Sequence, residues 1–399
     1  MASSSAGVLT VVPSISAAAN AALKSRVISI DALRGLVMLL MLVDHVREYF
    51  FIHAQVSDPV DLSVTPPALF FTRLTAHLCA PVFVALTGLS AWLYGQRRGG
   101  PAAASAFLLK RGLFLILLEV TLVNFAWTFS LTPSILYLQV IWAIGLSMVA
   151  LAGLLWLPRA ALIAVGLGIV FLHNLLGPIA FAPGEPGHVI WAILHDRGLI
   201  DLPWGGQART SYPLLPWIGV LALGYAIGPW FARGSDAGAR RQKLSLLGAL
   251  SLLLFGVLRA VNIYGEPLPW SAGPTALHTV MSFLNLTKYP PSLDFLLLTL
   301  GVGALILGAA EKAPPRVLTL IATFGTAPLF FYLAHLYALH LLNLACLALF
   351  GPNQGAYFSL PNVATLWLLA AIMAVPLWFA CRWFARLKKH SGRPWMSYL

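Results

Sequence analysis

The residues best suited to do chemistry lie in one apolar stretch near the N-terminus, which carries Asp31, Arg34, Asp44, His45, Arg47 and Glu48. An ionisable group inside a membrane span is costly unless it is paired or hydrated, so a cluster of this density marks a candidate functional region. Asp31 and Arg34 stand three apart and share a helical face. They could simply form an ion pair at the start of the helix. Alternatively, the guanidinium is aimed at phosphates entering from the inner surface. His45 follows Arg34 by eleven residues, about three turns and about 16 Å along the same face. A ligand long enough to touch both would thread the bundle. Neutral imidazole at His45 would serve as a general base or an acyl carrier, against the blander reading of a structural histidine. Asp44 points roughly 100° away from His45 on a helix of 3.6 residues per turn, so it serves a neighbouring helix or orients a substrate rather than bonding His45 directly.

Other candidates flank this stretch. His53 stands just past it and reads either as an interfacial residue or as part of an outer site. Arg73 and His77, four apart, share a face near the outer end of the second span, as an anchor pair or as a second wall of that site. Glu119 and Asn124 in the third span could pair with any of these bases, and Asn124 could bind substrate or stabilise an oxyanion. Lys288 precedes Tyr289-Pro290-Pro291 in a long loop and is a candidate substrate contact. His335 and His340 are five apart and do not share a face, which makes them a poor metal pair. The sequence carries no zinc-ligand spacing, no phosphate-binding glycine loop and no nucleophile elbow. The cysteines Cys79, Cys346 and Cys381 all lie in apolar segments and read as packing residues.

The elements that must position these groups follow from composition. Of 399 residues, 59 % are hydrophobic and only 10 % charged, against roughly a quarter charged in a typical soluble domain. This excludes a disordered chain and argues against a soluble globular one. Apolar runs bounded by charge, Pro or Gly fall at about 28–52, 68–95, 106–126, 135–156, 160–178, 212–232, 244–264, 291–310, 317–349 and 361–385. The expected fold is therefore an all-α, polytopic transmembrane helix bundle of about ten spans. Gly325 and Pro328 are expected to divide the ninth run into a short helix and a true span. The net charge of +12 would suggest nucleic acid in a soluble protein, but in a membrane protein it reflects basic inner loops. With the N-terminus inside, 18 Lys and Arg fall on the inner side and 6 on the outer side or outer half, which places both termini in the cytoplasm. The inner set includes Arg97, Arg98, Lys110 and Arg111, which with Arg34 and Asp31 make a candidate binding site for a phosphate-bearing cofactor. Residues 1–26 read as a disordered cytoplasmic tail without a signal peptide, 27–388 as the membrane domain, and 389–399 as a second cytoplasmic tail. Long outer loops at 178–211 and 265–290, the first with a short interfacial helix near 187–198, suggest that this face meets a polar ligand.

Read together, several motifs resemble a known family. Ser29-Ile30-Asp31-Ala32-Leu33-Arg34-Gly35-Leu36 followed by Asp44-His45 resembles the opening span of the heparan-α-glucosaminide N-acetyltransferases, and the spacing from Arg34 to His45 is also similar to that of the wider transmembrane acyltransferase superfamily. Phe70-Phe71-Thr72-Arg73, His77-Leu78-Cys79-Ala80-Pro81, Tyr212-Pro213-Leu214-Leu215-Pro216-Trp217-Ile218-Gly219, Lys288-Tyr289-Pro290-Pro291-Ser292 and Pro328-Leu329-Phe330-Phe331-Tyr332 with His335 extend the likeness. The resemblance is closest to bacterial members. It implies an acetyl-CoA-dependent membrane enzyme of the bacterial inner (plasma) membrane, with acetyl-CoA as acyl donor co-substrate and no metal. It also implies that His45, matched by its spacing from Arg34, is the family's membrane histidine, with His53 as a weaker rival, and that an amino sugar or other glycan is acetylated at the opposite face. Heparan sulfate itself is not carried over as acceptor, because bacteria commonly lack it. Beyond acyl-CoA, acceptor and lipid bilayer, a homodimer is compatible with the sequence, and no nucleic-acid partner is expected. The competing class is a proton-coupled transporter, which buried His, Asp and Arg would also suit. Such a protein would more often show broken helices and paired halves around one midplane site. A structural subunit, whose charges only pair helices, is the third reading.

Overall fold

A computed structural model of the protein describes residues 28–391, so the expected N-terminal tail and most of the C-terminal one lie outside the described residues. The order of helices is α1 (Ile28–Phe50), α2 (Pro67–Ala76), α3 (Cys79–Arg98), α4 (Pro101–Leu118), α5 (Asn124–Thr128), α6 (Val140–Leu154), α7 (Arg159–Leu172), α8 (His188–Leu194), α9 (Leu215–Ala226), α10 (Ala237–Val261), α11 (Ala276–Leu284), α12 (Leu293–Ala310), α13 (Pro315–Gly325), α14 (Pro328–Phe350) and α15 (Val363–Ser391). Among the described residues six helical stretches are long and apolar enough to cross a membrane: Pro67–Arg98, Arg159–Leu176, Ala237–Val261, Leu293–Ala310, Pro328–Phe350 and Val363–Ser391. Apolar α6 and α9 are shorter, and α1 carries five charged residues along its 23. Leu246, Leu250, Leu253 and Val257 of α10, and Leu368, Ile372, Val375 and Phe379 of α15, are all more than half exposed. Apolar faces of this extent suit a lipid environment, where nothing drives them inward.

Two expectations need correction. The all-α reading overlooked a small three-stranded sheet, in the order β1 (Ile135–Leu138), β3 (Gln207–Thr210), β2 (Gly198–Asp201). β3 pairs parallel with β1 and antiparallel with β2. The run at 135–156 was expected as one span, but its first residues form β1 and helix begins only at Val140. Asn124 fixes that strand: its side-chain amide donates to the carbonyl of Tyr137 at 2.8 Å and its carbonyl accepts the Tyr137 N–H, also at 2.8 Å. The ninth run does divide, with α13 ending at Gly325 and α14 opening at Pro328, as proline favours at the first turn of a helix. A short helix does stand in the segment 187–198, as α8.

Close packing in the bundle depends on glycine. A Cβ on Gly35 would lie 2.0 Å from the Ile321 carbonyl oxygen, and one on Gly325 would lie 2.0 Å from that of Asp31. Only hydrogen fits at either position, so α1 and α13 touch backbone to backbone, as small residues allow in membranes. Gly88 and Gly224 do the same for α3 and α9, at 2.1 and 2.2 Å from opposing carbonyls. These contacts join α1 to α13 and α3 to α9, and residues of both α1 and α3 line a cavity.

Candidate functional site

That cavity has a volume of about 930 Å³, near the upper end of the range for small-molecule sites. It follows one face of α1 through Ile30, Asp31, Arg34, Met38, Met41, Asp44 and His45. The helical period brings these residues into one stripe. One end is basic, with Arg97, Arg98, Arg111, Arg233 and Lys388 contributed by α3, α4, the segment after α9, and α15. The other end holds His45, Asp44, Tyr212, Lys288 and Tyr332. In all, seven Lys or Arg and two Asp line it, so an anionic ligand is favoured electrostatically.

At the basic end Arg34 joins three helices. Its guanidinium donates to Asp31 at 2.9 Å, to Ser90 Oγ of α3 at 2.9 Å and to the Gly325 carbonyl of α13 at 3.3 Å. The close approach of α13 through Gly35 and Gly325 is what brings that carbonyl within reach. Trp92, Tyr94, Phe107 and Phe231 add aromatic surface nearby, with Tyr94 and Phe107 stacked at 4.2 Å between centroids.

At the other end Asp44 accepts from two arginines. Arg47, one turn on, donates through Nε at 3.1 Å and through a terminal nitrogen at 3.0 Å. Arg73 of α2 donates to both carboxylate oxygens, at 3.2 and 3.0 Å. Arg47 also bonds Glu48. Asp44 therefore serves neighbouring cations and does not bond His45. The loop between α1 and α2 adds Asp58, which accepts the Lys288 backbone N–H at 3.1 Å. Burial pushes the Asp58 carboxyl above its ordinary range, opposed by Arg73 and Lys288. Tyr289, between α11 and α12, donates to the Tyr212 hydroxyl at 3.0 Å, joining that segment to the one after β3.

His45 faces an aromatic cage. Trp127 and Tyr332 stand edge-on to its ring at 5.2 and 6.0 Å between centroids. Its Nδ1 lies 2.6 Å from Nε2 of His335 on α14. The two ring planes differ by only 10°, with centroids 4.9 Å apart. Stacked faces would keep atoms at roughly 3.5 Å or more. The rings are therefore side by side in one plane, joined by a hydrogen bond.

A family model described as heparan-alpha-glucosaminide N-acetyltransferase, catalytic, matches residues 26–264. The chain belongs to this family. The matched segment holds Arg34, Asp44, His45, Arg73 and the basic groups from Arg97 to Arg233, whereas Lys288, Tyr332, His335 and Lys388 lie beyond it. No curated protein matches the chain. Membership makes this a membrane acetyltransferase, and it is the family's co-substrate, acetyl-CoA, that the basic cavity has to be measured against.

The structure gathers only part of the expected site. Arg34, Asp31, Arg97, Arg98, Arg111, Asp44, His45 and Lys288 all line the cavity. Arg73 stands behind Asp44 as its clamp. His77 is buried between α2 and α3 against Phe295, neither of its ring nitrogens has a partner among the described residues, and it does not line the cavity. His53 is exposed beside Phe51. Exposed Lys110 points elsewhere. Asn124 and Glu119, expected to partner the bases, are occupied by backbone: Glu119 accepts the N–H groups of Gln139 and Trp142 at 3.3 and 3.1 Å, at the start of α6. Among the described residues no group of three His, Cys, Asp or Glu could hold a metal. Residues that the sequence reading did not assign to the site include Ser90, Tyr212, Arg233, Tyr332 and Lys388, which line the cavity, and His335, which contacts His45. For His335 the signal was present, since a histidine inside an apolar span needs a partner, but nothing along the chain pointed to one 290 positions away.

Proposed function

We propose that the protein transfers an acetyl group from cytoplasmic acetyl-CoA to an amino sugar or another glycan hydroxyl or amine at the opposite membrane face, in a ten-span bundle with both ends cytoplasmic. The observation that carries this reading is the cavity, continuous from a basic mouth to His45 along one side of α1. CoA is a polyanionic nucleotide with a long flexible arm. Arg97, Arg98, Arg111, Arg233 and Lys388 would hold its phosphates, with Arg34 as the innermost guanidinium. The arm would lie past Met38 and Met41, whose thioethers adapt to an irregular chain. Its thioester would then stand beside His45.

The acceptor N–H or O–H attacks the thioester carbonyl while His45 takes its proton; the C–S bond breaks, and the CoA sulfur leaves and receives that proton. The products are the acetylated acceptor and free CoA. An acetyl-histidine route, in which the imidazole attacks first and the acceptor second, uses the same nitrogen. Lys288 places a positive charge at this end, either for the developing oxyanion or for the acceptor. Asp44, clamped by Arg47 and Arg73, keeps the field around His45 fixed. The two-faced reaction has a direct test in proteoliposomes with right-side-out and inside-out protein separated by protease protection. Acetyl-CoA supplied to the face bearing Arg97 and Arg98 should be consumed while a glucosamine probe on the other face is acetylated. Equal activity with both substrates on one face would contradict the transmembrane reading.

A further inference from the structure

His335 is wholly buried, lies outside the cavity lining and outside the segment matched by the family model, and contacts His45 directly. Its two ring nitrogens have distinct partners. Nδ1 is 2.7 Å from the Phe331 carbonyl oxygen, one turn back on α14. A carbonyl can only accept, so Nδ1 carries the hydrogen. No carboxylate lies within 4.0 Å of His335 among the described residues, and its surroundings are Phe331, Tyr332 and His45. An imidazolium there would be a buried, uncompensated charge, so the ring is neutral and its Nε2 is bare. A bare Nε2 must accept from His45 Nδ1 across the 2.6 Å contact. His45 thus carries its hydrogen on Nδ1, and its Nε2 keeps a lone pair with no hydrogen-bond partner among the described residues.

We infer that His335 is a positioning residue that locks His45 into the tautomer with Nε2 unprotonated toward the cavity, through a chain running from the Phe331 carbonyl to His335 and then to His45. The charged groups near His45 are Asp44, Arg47, Arg73 and Lys288; none of them hydrogen-bonds its ring, so the tautomer is set from α14 alone. The planar arrangement also stops the ring from turning, as Trp127 and Tyr332 stand edge-on at its flanks. This inference rests on the acetyl-transfer reading for its kinetic consequence, since general-base and acetyl-histidine routes both start from that lone pair. The tautomer itself does not depend on it.

The test has two arms. In protein labelled with [15N]histidine and held in nanodiscs, nitrogen NMR separates protonated from bare ring nitrogens, and the His45→Gln variant assigns the His45 signals. Wild type should show a protonated Nδ1 and a bare Nε2 at His45. In the second arm, His335→Leu removes the acceptor and His335→Gln restores both functions, an amide N–H for Phe331 and a carbonyl for His45. With acetyl-CoA binding unchanged in both, turnover should fall on the order of 10²–10⁴-fold in His335→Leu, the scale of a lost or misdirected general base, and recover in large part in His335→Gln. A protonated Nε2 at His45 in wild type overturns the inference, as does His335→Leu turnover equal to wild type. If wild type turns over no acetyl-CoA, the acetyl-transfer reading fails and the NMR arm alone decides the tautomer.

Discussion

Two Asp–Arg pairs of identical spacing stand on α1, Asp31–Arg34 at the basic end of the cavity and Asp44–Arg47 beside His45. In sequence they are the same device, a three-residue step that puts opposite charges on one helical face. In the fold they differ in which partner is the centre. At the basic end the centre is the cation: Arg34 adds Ser90 and the Gly325 carbonyl to its carboxylate. At the histidine end the centre is the anion: Asp44 collects Arg47 and Arg73. Among the described residues Arg34 combines neutral acceptors with its carboxylate, an arrangement that suits a guanidinium meant to meet a phosphate as well. A carboxylate held between two guanidiniums is spent on structure. The neighbouring His45 has no acidic partner among the described residues and donates its ring N–H to His335 of α14 instead. Spacing alone cannot tell these cases apart, because the deciding groups come from α2, α3 and α13.

The comparison breaks most visibly at Asp44. Asp44→Asn takes the carboxylate from buried Arg73 and leaves Arg47 with Glu48, and it should cost about 3–5 kcal/mol of stability, the range for breaking a buried pair from one side. Thermal unfolding in detergent measures this, and Arg73→Met added to Asp44→Asn should return part of the loss, as coupled partners do. At the basic end the effect should appear in binding. Arg34→Ala removes a charge-assisted contact worth about 1.5–3 kcal/mol, hence on the order of 10–150-fold weaker acetyl-CoA binding by calorimetry. The unfolding temperature should fall less than in Asp44→Asn. Ser90→Ala sharpens the point, since it loosens Arg34 without removing it; about 0.5–1.5 kcal/mol predicts a loss of acetyl-CoA affinity between twofold and about tenfold. The smallest effect belongs to the exposed mouth. Arg97→Gln should weaken binding by at most about fivefold, on the order of 0.2–1 kcal/mol, and the loss should shrink as salt is raised.

Much of this organisation is legible in the sequence. Apolar runs show most of the helices, Gly325 and Pro328 show the break between α13 and α14, and the spacing of Arg34 and His45 shows their common face. The sheet was not legible, because Ile135–Leu138 is apolar enough to read as the start of α6, and its strand character comes from pairing with a segment 72 residues on and from Asn124. The partners of Glu119 were misread for a similar reason: a carboxylate in an apolar span suggests a charged partner, yet here backbone N–H groups at the start of α6 satisfy it. Single polar residues announce a need for a partner, and only the fold names it. His77 and His335 illustrate both outcomes, one buried with no hydrogen bond among the described residues and the other bonded to His45.

The account depends most on His45, the proposed reactive residue at the end of the cavity opposite its basic one. The most direct measurement is acetyl-CoA binding and CoA release by purified wild type and His45→Ala protein side by side. Wild type should bind acetyl-CoA and release CoA in the presence of an amino-sugar acceptor, while His45→Ala should bind with similar affinity and turn over at least 10²-fold more slowly, the lower bound for a general base. Wild type that binds no acyl-CoA, or His45→Ala that turns over like wild type, would contradict it.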